Sequence, residues 1–156
     1  VTSTRQATTA DAGAIATMLD AFNREFGSPT PGPTVLADRL AQLLAGPDTV
    51  ALLAGQPAAG VALLTLRPNV WYDGPVALLD ELYVTPHQRN LGIGTALLHA
   101  AEQATRQVGG ELLEINVDGQ DTDARRFYER HGYTHTEPGQ SLPSLYYYRE
   151  LNDSTA

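Results

Sequence analysis

Apolar residues recur along the chain in blocks whose period switches between helix and strand. Ile15, Met18, Leu19, Phe22 and Phe26 repeat at helical spacing, which predicts an amphipathic helix. Thr8 or Thr9 is placed to cap it, with Asp11 in its first turn. The breaker-rich stretch 27–33 reads as a loop. Leu36, Leu40, Leu43 and Leu44 mark a second helix that stops near Gly46-Pro47. Short apolar runs at 49–54 and 59–66 flank Gly55-Gln56-Pro57 and predict a hairpin. A third strand is expected over 76–84, a helix within 91–108 and a strand over 111–117. Leu97, Ala101, Ala104 and Val108 share one face of that helix, and Gly109-Gly110 stops it. A helix over 121–130 follows, then a strand starting at Tyr133 and a last strand over 144–151 that carries Tyr146, Tyr147 and Tyr148. These elements imply an α/β class, with a mixed sheet flanked by helices. The segment 76–117 is a βαβ unit, so its two strands should be parallel neighbours or near neighbours.

With 156 residues, the chain should form one domain, 1–156, with a core that needs no staples. Composition sharpens the picture mainly through two absences. There is no cysteine, and all ten basic residues are arginine. This removes a cysteine nucleophile, a cysteine-ligated zinc, a Walker A lysine and a lysine Schiff base. The net charge of −8 argues against a nucleic-acid partner and mildly favours a cationic one. No apolar run approaches the roughly 20 residues of a membrane span, and the first residues lack an apolar signal region. The expectation is a soluble, cytoplasmic protein with no membrane partner.

The chemistry concentrates where the third strand runs through a short loop into a helix, from Leu79 to Leu98. Gly92 and Gly94 sit at the helix start, where glycine lets a ligand approach the backbone. The amides of a helix N-terminus bind anionic oxygens, helped by the helix dipole. Arg89 adds a fixed positive charge suited to phosphate. Backbone amides plus arginine thus replace the missing lysine. A tight turn alone would also use these glycines. A doubly wound nucleotide-binding domain is a weaker rival, because the pattern is not Gly-x-Gly-x-x-Gly.

Arg89-x-x-Gly92-x-Gly94 resembles the acetyl-CoA-binding signature of the GNAT N-acetyltransferase superfamily. The resemblance continues in Ala124-Arg125-Arg126-Phe127-Tyr128-Glu129-Arg130-His131-Gly132-Tyr133, which is similar to the family's Ala-x-x-Phe-Tyr-x-x-x-Gly-Phe segment. It is close from about Leu78 to Tyr133 and architectural only before Val50. Two positions depart from the pattern. Asn90 stands where the family often has glycine; asparagine tolerates positive φ next best. Asp121 stands where the family often has asparagine. It can cap the helix but cannot donate a hydrogen bond to a cofactor.

The resemblance implies a mixed, largely antiparallel sheet of about 6–7 strands, splayed between the fourth and fifth, with about four helices. It implies acetyl-CoA as cofactor. Leu82, Tyr83 and Val84 would face the pantetheine arm, and Gln88, Arg89, Asn90, Leu91, Gly92, Ile93, Gly94 and Thr95 would hold the pyrophosphate. Asn116 would line the other side of the gap, or merely cap a strand end. Asp121, Ala124, Phe127 and Tyr128 complete the implied cofactor set, with Phe127 assigned to core. Tyr128 is the candidate general acid for the CoA thiolate. Glu81, with Asp80 as runner-up, is the candidate base. Strand alternation points the two carboxylates to opposite faces, so only one could face the cleft.

Glu25, Phe26, Trp71, Tyr72 and Asp73 are candidates for an amine pocket, although Trp71-Tyr72-Asp73-Gly74 also reads as a plain turn. His131 and His135 have metal-like spacing without partner ligands, and no metal is expected. The function implied is transfer of acetyl from acetyl-CoA to a primary amine by direct attack in a ternary complex. The acceptor would be a small cationic amine or an exposed amino group, and a homodimer is possible. The rival is a non-catalytic acyl-CoA-binding module of the same fold.

Overall fold

The computed structural model describes residues 2–152. Its chain divides into two compact units, 1–115 and 116–156, each taken in turn.

In the first unit, strand β1 (Thr4–Gln6) leads through a single 3-10 turn into helix α1 (Ala12–Glu25). The entry is fixed by Asp11, whose carboxylate accepts the Thr8 amide at 2.8 Å and the Arg5 guanidinium at 2.7 and 2.8 Å. Helix α2 (Pro33–Ala45) carries proline in its first turn, where its missing N–H costs nothing. Between the helices, Asp20 is buried and satisfied by Arg24 and by the Thr30 hydroxyl, each at 2.8 Å. Strands β2 (Thr49–Ala54), β3 (Gly60–Arg67) and β4 (Val76–Val84) follow, then helix α3 (Ile93–Gln107) and strand β5 (Leu112–Ile115).

The sheet order is β1-β2-β3-β4-β5, antiparallel except for the parallel β4–β5 pair. The parallel pair is the expected βαβ unit. Each face of the sheet buries its own apolar layer. Ala51, Leu53, Val61 and Tyr83 pack with Ile15, Ala16, Met18 and Leu40 of α1 and α2. On the other face, Gly60 approaches Leu97 and Ile93 of α3, and the same parity of β3 brings Ala62 and Leu64 there, fully buried.

The described residues form five strands, fewer than the 6–7 expected. Strand β1 is additional: Thr4, Arg5 and Gln6 are all exposed and show no apolar pattern, and backbone pairing alone places them at the edge.

In the second unit, helix α4 (Thr122–Arg130) is capped by Asp121, whose side chain accepts the Ala124 amide at 2.9 Å. The two strands expected after it do not form among the described residues. A turn at Gly139 and one backbone bond, Ser144 N to His135 O at 2.7 Å, are what remain of a hairpin. No helix among the described residues is long and apolar enough to cross a membrane.

Candidate active site

Strand β4 changes character halfway along. Val76 to Leu79 pair with β3 on one side and β5 on the other, and the β5 ladder stops at Leu79–Ile115. Among the described residues, only β3 pairs with β4 from Asp80 to Val84, and no strand pairs with the β5 side of Leu82, Tyr83 and Val84. This is the splay expected between the fourth and fifth strands.

The same point carries a bulge. Leu64 is opposite Leu79 and Leu63 is opposite Glu81, leaving Asp80 as the extra residue. The Thr65 hydroxyl donates to the Asp80 carboxylate. Thr65 and Leu63 share a face of β3, and residues directly opposite in an antiparallel pair share a face. Asp80 and Glu81 therefore lie on the same face, the one covered by α1 and α2. The expected alternation fails here because the bulge inserts a residue without adding a reversal. Burial, and then the neighbouring Asp80 charge, push the Glu81 carboxyl above its ordinary range. Thr65, which engages Asp80, carries no sequence signal that singles it out.

Beyond Val84 the chain makes a 3-10 turn over Pro86–Gln88 and enters α3 through two left-handed residues, Asn90 (φ 62°) and Gly92 (φ 82°). Asparagine thus adopts the positive φ for which it was expected to substitute. A Cβ on Gly92 would meet nothing within 4 Å, so this glycine meets a backbone requirement and leaves open space beside the helix end. The Ala96 amide bonds back to Gly92 O at 3.0 Å. The amides of Ile93 and Gly94 lie ahead of it at the positive end of the dipole. Leu91 is exposed beside them.

Arg89 is engaged inside the protein. Its guanidinium donates to both oxygens of Glu25 at 2.5 and 2.6 Å, and its Nε donates to Val84 O at 2.9 Å. It also lies 5.6 Å from the centroid of Tyr83, whose ring stacks on Phe22 at 5.1 Å. The Glu25 carboxyl is held below its ordinary range by Arg89. Glu25 and Arg89 thus neutralise each other and tie the end of α1 to the loop. Phe26 is largely exposed and packs on Phe22 at 5.3 Å.

Trp71, Tyr72 and Asp73 lie at the opposite end of β4. Their loop is folded by Asn69, whose side-chain oxygen accepts the Trp71 and Tyr72 amides at 2.8 Å each. Gly74 touches Gly109 beyond the C-terminal end of α3, where any Cβ would overlap the Gly109 carbonyl. Tyr72 and Asp73 line an open cavity of about 360 Å³ there, with Asp48 and Asn69. The structure does not gather the five candidate pocket residues: Glu25 and Phe26 sit at the Arg89 end, and the other three at the far end.

In the second unit, the motif is explained by the way α4 ends. Gly132 (φ 87°) donates to Glu129 O at 3.1 Å, and Tyr133 N donates to Tyr128 O at 3.1 Å. That is a Schellman cap, with the ring of Tyr133 against Tyr128 at 5.9 Å. Gly132 and Tyr133 thereby fix Tyr128. Phe127, expected in the core, is half-buried, edge-on to Tyr128 and 4.5 Å from the His131 ring. His131 Nδ1 lies 2.7 Å from Phe127 O. Asn116, just after β5, is exposed.

Comparison with known proteins places the chain in a family. The family model for the Acetyltransferase (GNAT) family matches residues 15–133. An N-acetyltransferase of uncharacterized role from Bacillus subtilis is 30% identical over 83% of this chain and 87% of its own. An aminoglycoside N(6')-acetyltransferase from Stenotrophomonas maltophilia is 31% identical over 85% and 86%. The crystal structure of a protein from Arthrobacter sp. FB24, classed as an acetyltransferase, superposes with a TM-score of 0.90 at 62% identity, covering 96% of both chains. The chain belongs to the GNAT acetyltransferase family, whose members are acyltransferases that use acetyl-CoA.

Proposed function

We propose that the chain acetylates a primary amine on a small cationic molecule, by direct attack in a ternary complex. The observation that carries this reading is the β4 bulge. It puts two carboxylates on one face, where burial and mutual repulsion raise the proton affinity of Glu81.

The residues fit the cofactor. The open side of Leu82–Val84 suits an amide-bearing arm, and Asn90, Gly92, Ile93 and Gly94 form an anion cradle at the head of α3. Gln88, Leu91 and Thr95 border that cradle, and Asn116, Asp121 and Ala124 remain proposed contacts of the second unit. Arg89 shapes the cradle through Glu25 and Val84 O. When bound, acetyl-CoA supplies a thioester with an electrophilic acyl carbon and a thiolate leaving group.

An amine attacks only when neutral, so the base must take a proton from an ammonium group. Glu81 does this, and its raised proton affinity brings it nearer to the amine it deprotonates. Asp80, held by Thr65, keeps Glu81's proton affinity high. Tyr128 would protonate the departing sulfur and would regain its proton from the attacking nitrogen's second N–H, so each turnover would release to solvent the one proton taken by Glu81. With no cysteine in the chain, an acyl-cysteine route has no nucleophile.

Two observations support a cationic acceptor: the net charge of −8, and the similarity to enzymes named for aminoglycosides, which carry several amines. The test is a panel of aminoglycosides, polyamines and amino-terminal peptides with acetyl-CoA, followed by thiol release. The protein itself gives no thiol background. Turnover with a polycationic amine supports the reading. Thermal stabilisation by acetyl-CoA with no release for any amine would instead support the acyl-CoA-binding module. Tyr128→Phe is expected to lower turnover ten-fold or more while acetyl-CoA affinity holds; unchanged turnover at saturating substrates removes Tyr128 from the mechanism.

A further inference from the structure

The cavity where the β3–β4 loop meets the end of α3 plays no part in the proposed transfer. Pro47, Leu66, Pro68, Pro75 and Val108 give it an apolar lining. Tyr72 adds an aromatic ring, and Asp48 and Asp73 add two carboxylates. Its volume of about 360 Å³ is in the range of small-molecule sites. Asp11, Asp20 and Glu25 are each engaged by an arginine. Asp48 and Asp73 make no side-chain hydrogen bond or ion pair among the described residues, and no arginine lines the cavity. The loop itself is held in place. Asn69 accepts the Trp71 and Tyr72 amides at 2.8 Å each and donates to Gly74 O at 3.0 Å, and Gly74 is packed on Gly109. Beside the cavity, Val70 and Trp71 are 87% and 86% exposed, so packing among the described residues leaves their apolar surface unused.

We propose that this cavity binds a small organic cation with an apolar body, its charged nitrogen held by the Asp48 and Asp73 carboxylates and the Tyr72 ring. The apolar body rests on Leu66, Val108 and the prolines. Charge decides the class of ligand. An anion meets two carboxylates and no cation. A neutral apolar molecule shields both carboxylates from water and gives them no counter-charge. Carboxylates and an aromatic ring recognise a positive charge without requiring an N–H, so a quaternary ammonium qualifies. A quaternary nitrogen has no proton to lose and cannot accept an acetyl group. Occupancy of this cavity is therefore chemically separable from the acceptor site proposed around Glu81.

The test titrates the full chain with benzyltrimethylammonium chloride, with benzyl alcohol as the neutral control. Trp71 is the one tryptophan of the chain and adjoins Tyr72, so its fluorescence reports on the cavity while calorimetry gives the affinity. The expected result is saturable binding of the cation below millimolar saturation, about five-fold or more weaker for the alcohol. Affinity should fall as sodium chloride is raised, a readout that needs no variant. Asp48→Asn/Asp73→Asn should weaken binding about five- to ten-fold, and Tyr72→Leu a few-fold, with the thermal melt kept. Glu81→Gln should bind the cation as wild type does, so the outcome does not depend on the proton-transfer assignment. The proposal is overturned if millimolar cation gives no saturable binding, or if binding is indifferent to salt or to the double substitution. It is equally overturned if Glu81→Gln loses the binding, which places the cation at the acceptor site.

Discussion

The two halves of β4 belong to one strand and differ in both residue type and pairing. Val76 to Leu79 are gripped by strands on both sides, and three of the four are buried. Asp80 to Val84 have β3 alone, begin with a bulge, and carry two carboxylates and the Tyr83 ring under Arg89. The first half is a fully paired strand and behaves as scaffold. The second half keeps its β5-side backbone edge unpaired among the described residues and carries the residues proposed for proton transfer. On the proposed assignment, stability and function divide along one strand, at the point where the β5 ladder stops.

Substitutions can break this division. The largest effect is expected in the open half: Glu81→Gln should lower kcat/KM by about 10²–10⁴-fold, the usual worth of a general base, with little change in melting temperature. In the paired half, Leu79→Ala should cost about 2–5 kcal/mol of stability, read from denaturant unfolding, while kcat per folded molecule stays near wild type. If Leu79→Ala destroyed kcat without unfolding the protein, the halves would not be separable.

Asp80→Asn should be milder. It removes the charge that raises Glu81, so the rising limb of the pH–rate profile should move to lower pH. It should not reach the ordinary carboxylate range, because burial remains the larger cause. The smallest effect is expected at Glu25. Glu25→Gln releases Arg89 from its bidentate grip and should raise KM for acetyl-CoA a few-fold with kcat nearly unchanged. The Glu25 carboxyl is depressed in the folded protein. Its contribution to stability is therefore complete at neutral pH and lost as pH falls through that depressed value. A comparison of acid unfolding should show the variant and wild type converging at low pH.

The βαβ unit was legible because each of its signals is local. The apolar run of β4, the glycines at the head of α3 and the Gly109-Gly110 stop each act within a few residues. The cap at Asp121 was legible for the same reason. The bulge was not: Asp80 carries no glycine or proline to announce it, and simple alternation put the carboxylates on opposite faces. The Arg89–Glu25 pair joins residues 64 apart in sequence, so Arg89 read alone looked like a free cation for phosphate. The candidate pocket split because Glu25 and Trp71 border loops at opposite ends of the sheet, a distance that only the strand order reveals. The tyrosine-rich segment had the composition of a strand, but composition does not name the partner a strand requires.

The most direct measurement is the pH dependence of kcat/KM for wild type and Glu81→Gln, followed by thiol release with a turned-over amine. Wild type should show a rising limb placed above the usual carboxylate range, set by a base that must lose its proton. Glu81→Gln should lose that limb together with most of the rate. A Glu81→Gln enzyme that keeps both the limb and the rate would contradict the assignment of the open half of β4 to proton transfer.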